Sequence, residues 1–444
     1  MLVSGRALLA VLCLLSAGDE RVYAQAALPP ARGGLAFAAA ADIGNAAFVA
    51  CALQCIAFVS AYAVELHAPA DMSADADLPY FSALRRSVTQ LSLQSPAPYT
   101  LPGLLAGSPP TQHDLAVGVY EQRQAQVLSM QPDDRHRARF LSAGGTYAGH
   151  WLNALPGLSH LTASGPVYRL ALCLRLGAPI AELAELTCQA CSAEHDAFGF
   201  HPSSCPRGNR GNLLSRRGSA LEYAVQRACR LVGQPARLCT SGAYWLGSVA
   251  WRPGRDGGEG GYLRPDVVLP HYRGPISHYF LDAAVTCPSS ATALRAGSAR
   301  AAAAAAAAKE ARKVAKYEDV CERVGSAFCP AVVERFGACG ERLAGFIGMI
   351  SGSGDRDVCD DDYVFSTSSR TTYTATSIVF AAVIADAAML HDVIEHDGHR
   401  RALDRDDSGA YAQPPRPRGC AVPGQYAAPR ARRAARYHPY ARPT

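Results

Sequence analysis

Long apolar runs, internal repeats and nucleotide-binding or acyl-transfer signatures are all missing from this sequence of 444 residues. After the N-terminal stretch nothing reaches the roughly 18–20 uninterrupted apolar residues that a membrane-spanning helix needs, so no membrane partner is expected. No segment of roughly 20–50 residues recurs, which excludes a solenoid or propeller. There is no G-x-S-x-G elbow, no Walker loop and no dinucleotide fingerprint, and the common hydrolase, NTPase and dehydrogenase readings fall away with them. Charge of one sign is scarce: 43 Lys and Arg against 38 Asp and Glu leave a net +5. That excess does not mark a nucleic-acid binder by itself. The 15 cysteines are scattered and odd in number, without the density or regular spacing of a disulfide scaffold.

What is present is enough apolar material, 49% of residues, for two or three domains with cores of their own. Met1–Gln25 has the form of a secretory signal, with Arg6, the apolar stretch Leu8–Leu15 and small residues at Ala17 and Gly18. At the other end, Gly409–Thr444 has no acidic residue and carries Arg416, Arg418, Arg430, Arg432, Arg433, Arg436 and Arg442. It reads either as a disordered basic arm that lies along phosphates or as a solvated tail with no partner. Between the ends, Ala38–Ala63 predicts one or two buried helices, and Ser95–Pro110 is a Pro/Ser-rich connector. Tyr168–Gly177 predicts a buried helix, and a second domain is expected from near Asn212 to about His399. The alanine run Ala301–Ala308 continues into a charged amphipathic segment, so 291–325 is expected to form one long helix. An apolar helix is expected at Ser377–Leu390. His391, Glu395, His396 and His399 at its end suit a charged, frayed terminus better than a metal site.

Cys188, Cys191, His201 and Cys205 follow C-x2-C-x9-H-x3-C. Two close donor pairs joined by a short loop can bring three thiolates and an imidazole to the corners of a tetrahedron, as a structural Zn²⁺ requires. His195 is a geometric substitute for His201 with a less regular spacing. Cys321, Cys329 and Cys339 have no metal spacing and read as buried small side chains.

A second constellation is acidic. A helix over 220–232 has Leu221, Val225 and Ala228 on its apolar face and Glu222 at its margin. Arg264-Pro265-Asp266 opens a short strand, Val267–Leu269, and after a turn at His271–Pro275 a second strand, Ile276–Thr286, carries Asp282 among apolar neighbours. Adjacent strands of such a hairpin bring Asp266 and Asp282 within reach of one divalent cation, as in nucleases that activate water against a phosphodiester. Lys309, Lys313 and Lys316 recur at helical spacing and form one basic stripe, with Val314 and Tyr317 turned to the core. The stripe holds phosphate, stabilises charge in a transition state through Lys316, or is simply a solvated face.

The order of these pieces, from about Arg32 to Gly337, resembles the region downstream of the reverse transcriptase palm in non-LTR retrotransposon polyproteins that carry a restriction-like endonuclease. Arg32-Gly33-Gly34-Leu35 with Ala41-Asp42-Ile43 and Ala46-Ala47-Phe48 is similar to the segment after the palm. His150-Trp151-Leu152, Ala154-Leu155-Pro156 and Leu174-Arg175-Leu176-Gly177 are similar to the connector. Cys188, Cys191, Asp196, Gly199, His201 and Cys205 resemble the knuckle's C-x-x-C and D-x-x-G-x-H-x-x-x-C elements. Arg264-Pro265-Asp266, Asp282 and Lys316-Tyr317 resemble the nuclease's P-D, distal D and K-Y elements, and Phe328, Pro330, Val332, Val333, Glu334, Phe336 and Gly337 its closing helix.

The resemblance implies an α+β or α/β chain. A signal-like or spurious extension (1–28) precedes a helical connector (29–183), a small zinc knuckle (184–211) and a restriction-endonuclease-like mixed sheet flanked by helices (212–345). A helical extension (346–400) and a disordered basic tail (401–444) follow. It implies Mg²⁺-dependent DNA cleavage with Asp266 and Asp282 as metal ligands, Glu222 as a third acid and Lys316 as charge stabiliser. The resemblance also implies that Lys309, Lys313, Arg216 and Arg217 contact nucleic acid, and that the partners are DNA, element RNA and a polymerase supplied in trans, in the nucleus. Three departures stand out: no Y-x-D-D polymerase turn, Arg216-Arg217-Gly218 where relatives carry Arg-His-Asn, and Ala284 where many nucleases place a lysine. A non-catalytic nucleic-acid-binding remnant and a secreted cysteine-containing protein are the alternatives.

Overall fold

The computed structural model describes residues 19–37, 40–62, 79–96, 98–155, 157–188, 190–205, 213–239, 264–270, 276, 278–352 and 367–406. Over these the chain is a mixed α/β fold in which helices surround one four-stranded mixed sheet. The basic tail past residue 406, the signal-like stretch up to Gly18 and the turn His271–Pro275 lie outside the described residues.

Helix α1 (Glu20–Ala27) is followed by α2 (Ala40–Tyr62), α3 (Pro79–Leu93), α4 (Leu101–Leu105), α5 (Gln112–Ser129), α6 (Asp134–Ala143), α7 (Gly165–Leu176), α8 (Ala181–Ala184), α9 (Phe200–Ser204) and α10 (Leu213–Leu231). Strands β1 (Arg237–Leu238), β2 (Val267–Pro270) and β3 (His278–Thr286) come next. Helices α11 (Ala291–Arg295) and α12 (Ala304–Arg323) then cross over to β4 (Ala327–Glu334), before α13 (Glu341–Gly352) and α14 (Thr367–Asp406).

Helices α2 to α5 close over a small apolar cluster of their own, with Val49, Leu53, Leu84, Leu91 and Leu115 inside. The main core is far more mixed in origin. It gathers Val22 and Ala26 of α1, Leu170 and Leu174 of α7, Leu221 and Val225 of α10, Leu281 of β3, Val333 of β4, Ile347 of α13 and Ile378, Val383 and Leu390 of α14. Helix α1 is therefore part of the fold and not of an extension ending at residue 28. Its Gln25 is fully buried, donates to the carbonyls of Gly33 and Arg175 at 2.9 Å each, and accepts from Arg139 Nη2 at 2.9 Å. Helix α14 likewise exceeds the expected Ser377–Leu390: it runs for 40 residues, and its centre is core. Its stretch Ser369–Glu395 is long and apolar enough to cross a membrane, and more than half of it is buried inside this fold.

The sheet order is β1-β2-β3-β4, antiparallel at the first two pairings and parallel at the last. The expected hairpin is there: Val267 pairs with Leu281, and the Asp266 amide donates to Leu281 O at 2.9 Å. Two other elements differ from expectation. The stretch expected as a closing helix is strand β4, because Phe328, Val332 and Val333 form a β-branched and aromatic run buried on both faces. Pro330 is tolerated there because β4 is an edge strand. The expected single helix over 291–325 is two helices. Gly297, at φ +96°, ends α11 with a left-handed turn closed by the Ser298 amide on Ala293 O at 3.1 Å. The second helix starts afresh where the buried Glu334 carboxylate accepts the Ala305 and Ala306 amides at 3.0 and 3.1 Å.

Candidate functional site

Two sites emerge, one of thiols and one of carboxylates. In the first, the chain after α8 makes a tight turn: the Cys188 amide donates to Ala193 O at 2.8 Å and the Ser192 amide to Cys188 O at 2.7 Å. A bridge between Thr187 and Glu194 closes it. Asp196 then organises the second donor pair. Its Oδ1 accepts the Phe198 and Phe200 amides at 3.0 and 2.9 Å, and its Oδ2 accepts the His201 amide at 2.6 Å, which starts α9. Gly199 has a left-handed φ of +68° and a Cβ there would stand 3.0 Å from Leu390 Cδ1, so a glycine avoids both backbone strain and crowding where this turn meets α14.

The result brings one ligand atom each from Cys188, Cys191, His201 and Cys205 within 4.8 Å of one another. Cys188 Sγ and Cys205 Sγ are 3.7 Å apart, and Cys191 Sγ and His201 Nε2 are 3.2 Å apart. Zn–S and Zn–N bonds of about 2.3 and 2.0 Å at tetrahedral angles give edges of roughly 3.5–3.8 Å, whereas a disulfide would need about 2.05 Å. The four residues can hold a zinc ion. Burial pushes the Cys188 thiol up, the Ala190 and Cys191 amides oppose this, and the side chains of Cys191 and Cys205 add to it. His195 stands beside the set, its ring 5.3 Å from that of His201, and is not one of the four.

In the second site the hairpin register and the crossover helix meet. Asp266 Oδ2 accepts the Ala283 amide at 2.7 Å. Its carboxyl shares a hydrogen bond with Asp282 and is pushed up to about 7, by burial first and then by the charges of Asp282 and Glu222. Glu222, on α10, is itself pushed up by burial, while Arg264 and Lys313 oppose the shift. The structure thus brings together Glu222 of α10, Asp266 just before β2 and Asp282 of β3. Burial and acidic neighbours both disfavour the charged form of Asp266, and carboxylate oxygens are the hard donors that divalent cations take.

The lysines divide differently from expectation. Lys313, expected to touch nucleic acid, is ion-paired with Asp282 and donates to Ala283 O at 3.1 Å. Lys316, expected at the carboxylates, instead donates to Tyr317 Oη at 3.1 Å and sits 4.6 Å from the centre of that ring. The reason is axial level: both lysines share a face of α12, and residue 313 is the one opposite Asp282. Tyr317 is core, stacked on Phe328 at 4.9 Å, with its hydroxyl donating to Arg264 O at 2.9 Å. Lys309 is half-buried, and burial together with Lys313 and Arg312 lowers its pKa.

Arg217 is a correction. It was expected to contact nucleic acid, but it is buried and its Nη1 pairs with Asp386 Oδ1 at 2.5 Å, with Arg335 Nη2 on Asp386 Oδ2 at 2.7 Å. All its charge is spent inside. The side chain of Arg216 lies outside the described residues. His391 Nε2 and Glu395 Oε1 lie 3.9 Å apart, and among the described residues no third donor joins them into a metal-binding group. Cys321, Cys329 and Cys339 are buried, as their context indicates. A groove of about 280 Å³ between Leu155, Leu158, Leu161 and Tyr373 contains none of the expected site residues. No known protein-family model matches the chain, and no curated protein matches it in sequence.

Proposed function

We propose that the chain is a DNA-binding protein of restriction-endonuclease-like type, derived from the post-polymerase part of a non-LTR retrotransposon polyprotein, that nicks DNA with Mg²⁺. On this reading residues 29–183 are the connector, 184–211 the zinc knuckle and 212–345 the nuclease unit. The single observation that carries it is the meeting of Asp266, Asp282 and Glu222 beside the lysine face of α12. Asp266 and Asp282 would hold the cation, which supplies Lewis acidity toward a phosphodiester. Glu222 adds acidic charge at the margin. Lys309 and the exposed Lys316 offer ammonium groups along the same helix face to phosphate oxygens, and Tyr317 fixes Lys316 in place. The zinc knuckle packs against α14 and steadies the approach to the nuclease unit. DNA is the substrate; element RNA and a polymerase in trans are the further partners, and the nucleus the compartment.

One observation favours a second reading, a nucleic-acid-binding remnant without catalysis: an ammonium already neutralises Asp282, and Ala284 stands where many nucleases place their lysine. A nicking assay on supercoiled plasmid with Mg²⁺ separates the two. The nuclease reading expects open-circle product from the wild type and none above background from Asp266→Ala. Equal DNA binding by both proteins with no metal-dependent nicking by either would leave the remnant.

A further inference from the structure

The environment of the Lys313 ammonium is unusual for a lysine on an amphipathic helix. Its side chain and that of Asp282 are only 11% and 13% exposed, so their contact is no solvated surface pair. The Nζ atom is held by a carboxylate oxygen of Asp282 and by the main-chain carbonyl of Ala283. The same residue, Ala283, donates its amide to Asp266 Oδ2, and Asp266 shares a hydrogen bond with Asp282. An ammonium held by a carboxylate and a carbonyl oxygen, with a second carboxylate on the same Ala283, has the type of donor that a hard divalent cation takes.

We infer that Lys313 is an internal counter-cation: it fills the divalent-cation position between Asp282 and the Ala283 carbonyl and vacates that position for the metal to enter. The inference rests on the reading of Asp266 and Asp282 as cation ligands. A lysine is suited to this because its flexible four-carbon stem can carry the charge elsewhere, whereas a forked guanidinium would be fixed. The stem starts on the helix face shared with Lys309 and Lys316. A DNA phosphate arriving along that face gives the ammonium a new partner, and the metal and the DNA then favour one another's binding.

The test is Mn²⁺ binding to the full, zinc-loaded chain, measured by calorimetric titration without and with a short DNA duplex. Lys313→Met should bind Mn²⁺ about tenfold more tightly than wild type without DNA, with Arg323→Met, an exposed cation on the last turn of the same helix, unchanged. The duplex should tighten Mn²⁺ binding to wild type and not to Lys313→Met. Lys313→Gln, which keeps a hydrogen-bond donor and drops the charge, should repeat the gain if the methionine variant folds poorly. Equal affinities of wild type, Lys313→Met and Lys313→Gln, with Asp266→Ala still abolishing Mn²⁺ binding, would overturn the counter-cation while sparing the carboxylate site. Mn²⁺ binding that Asp266→Ala leaves intact, or no binding at all, would overturn both.

Discussion

Asp386 is wholly buried between two guanidiniums, Arg217 on α10 and Arg335 just after β4. Each partner is individually indispensable, because removing one member of a buried ionic group leaves uncompensated charge in a medium that solvates it poorly. Asp386→Ala is therefore expected to lower stability by about 3–5 kcal/mol in urea denaturation. Replacing the three together by Leu and Met should recover most of that loss. A small effect of the single substitution would mean that the arginines find other partners. The trio also marks a limit of sequence reading. Arg217 looks like a basic residue at a helix margin, and nothing near it in sequence announces a carboxylate 169 positions away. The exchange of roles between Lys313 and Lys316 has the same origin: helical periodicity assigns a face, but packing sets which turn lies level with Asp282.

At the scale of elements, the zinc loop is the piece most dependent on its metal. Its turn has little apolar content of its own, and four donors converge where four ordinary side chains would repel or collapse. A strong chelator should remove one zinc ion per chain, read by elemental analysis, and lower the melting temperature. Cys205→Ser should copurify with far less zinc. Retention of the wild-type melting profile after complete metal removal would show that the loop is held by its Asp196 hydrogen bonds and α14 contacts alone. This loop was legible because its donors are close in sequence. So was the β2–β3 hairpin, in which the register that buries Val267 and Leu281 also sets Asp266 beside Asp282. Strand β4 was not legible as a strand: the likeness of Phe328–Gly337 to a helix outweighed its run of β-branched residues. The break between α11 and α12 was hidden for a different reason. Alanine propensity argues for continuity, and the Glu334 carboxylate that starts the second helix comes from the far side of the crossover.

For the whole molecule, the main core joins elements from α1 to α14. The resemblance implies divisions near residues 28, 183, 212 and 345, and the main apolar cluster holds residues from either side of each. A chain beginning at residue 29 would lose Val22, Ala26 and the Gln25 amide that ties Arg139 to Arg175. It should show a broadened, less cooperative thermal transition than the full chain, followed by circular dichroism. A sharp transition at the full-length temperature would make α1 dispensable. A product cleaved near residue 25 would start from the same deficit.

Glu334 and Arg335 are neighbours in sequence, and they pull in opposite directions. One receives the first amides of the lysine helix; the other reaches the Gly199 carbonyl of the zinc turn and the acid of the long C-terminal helix. A single peptide unit is thus the hinge pin between the thiol corner and the carboxylate corner. A graft of either corner should therefore be designed with that dipeptide in place.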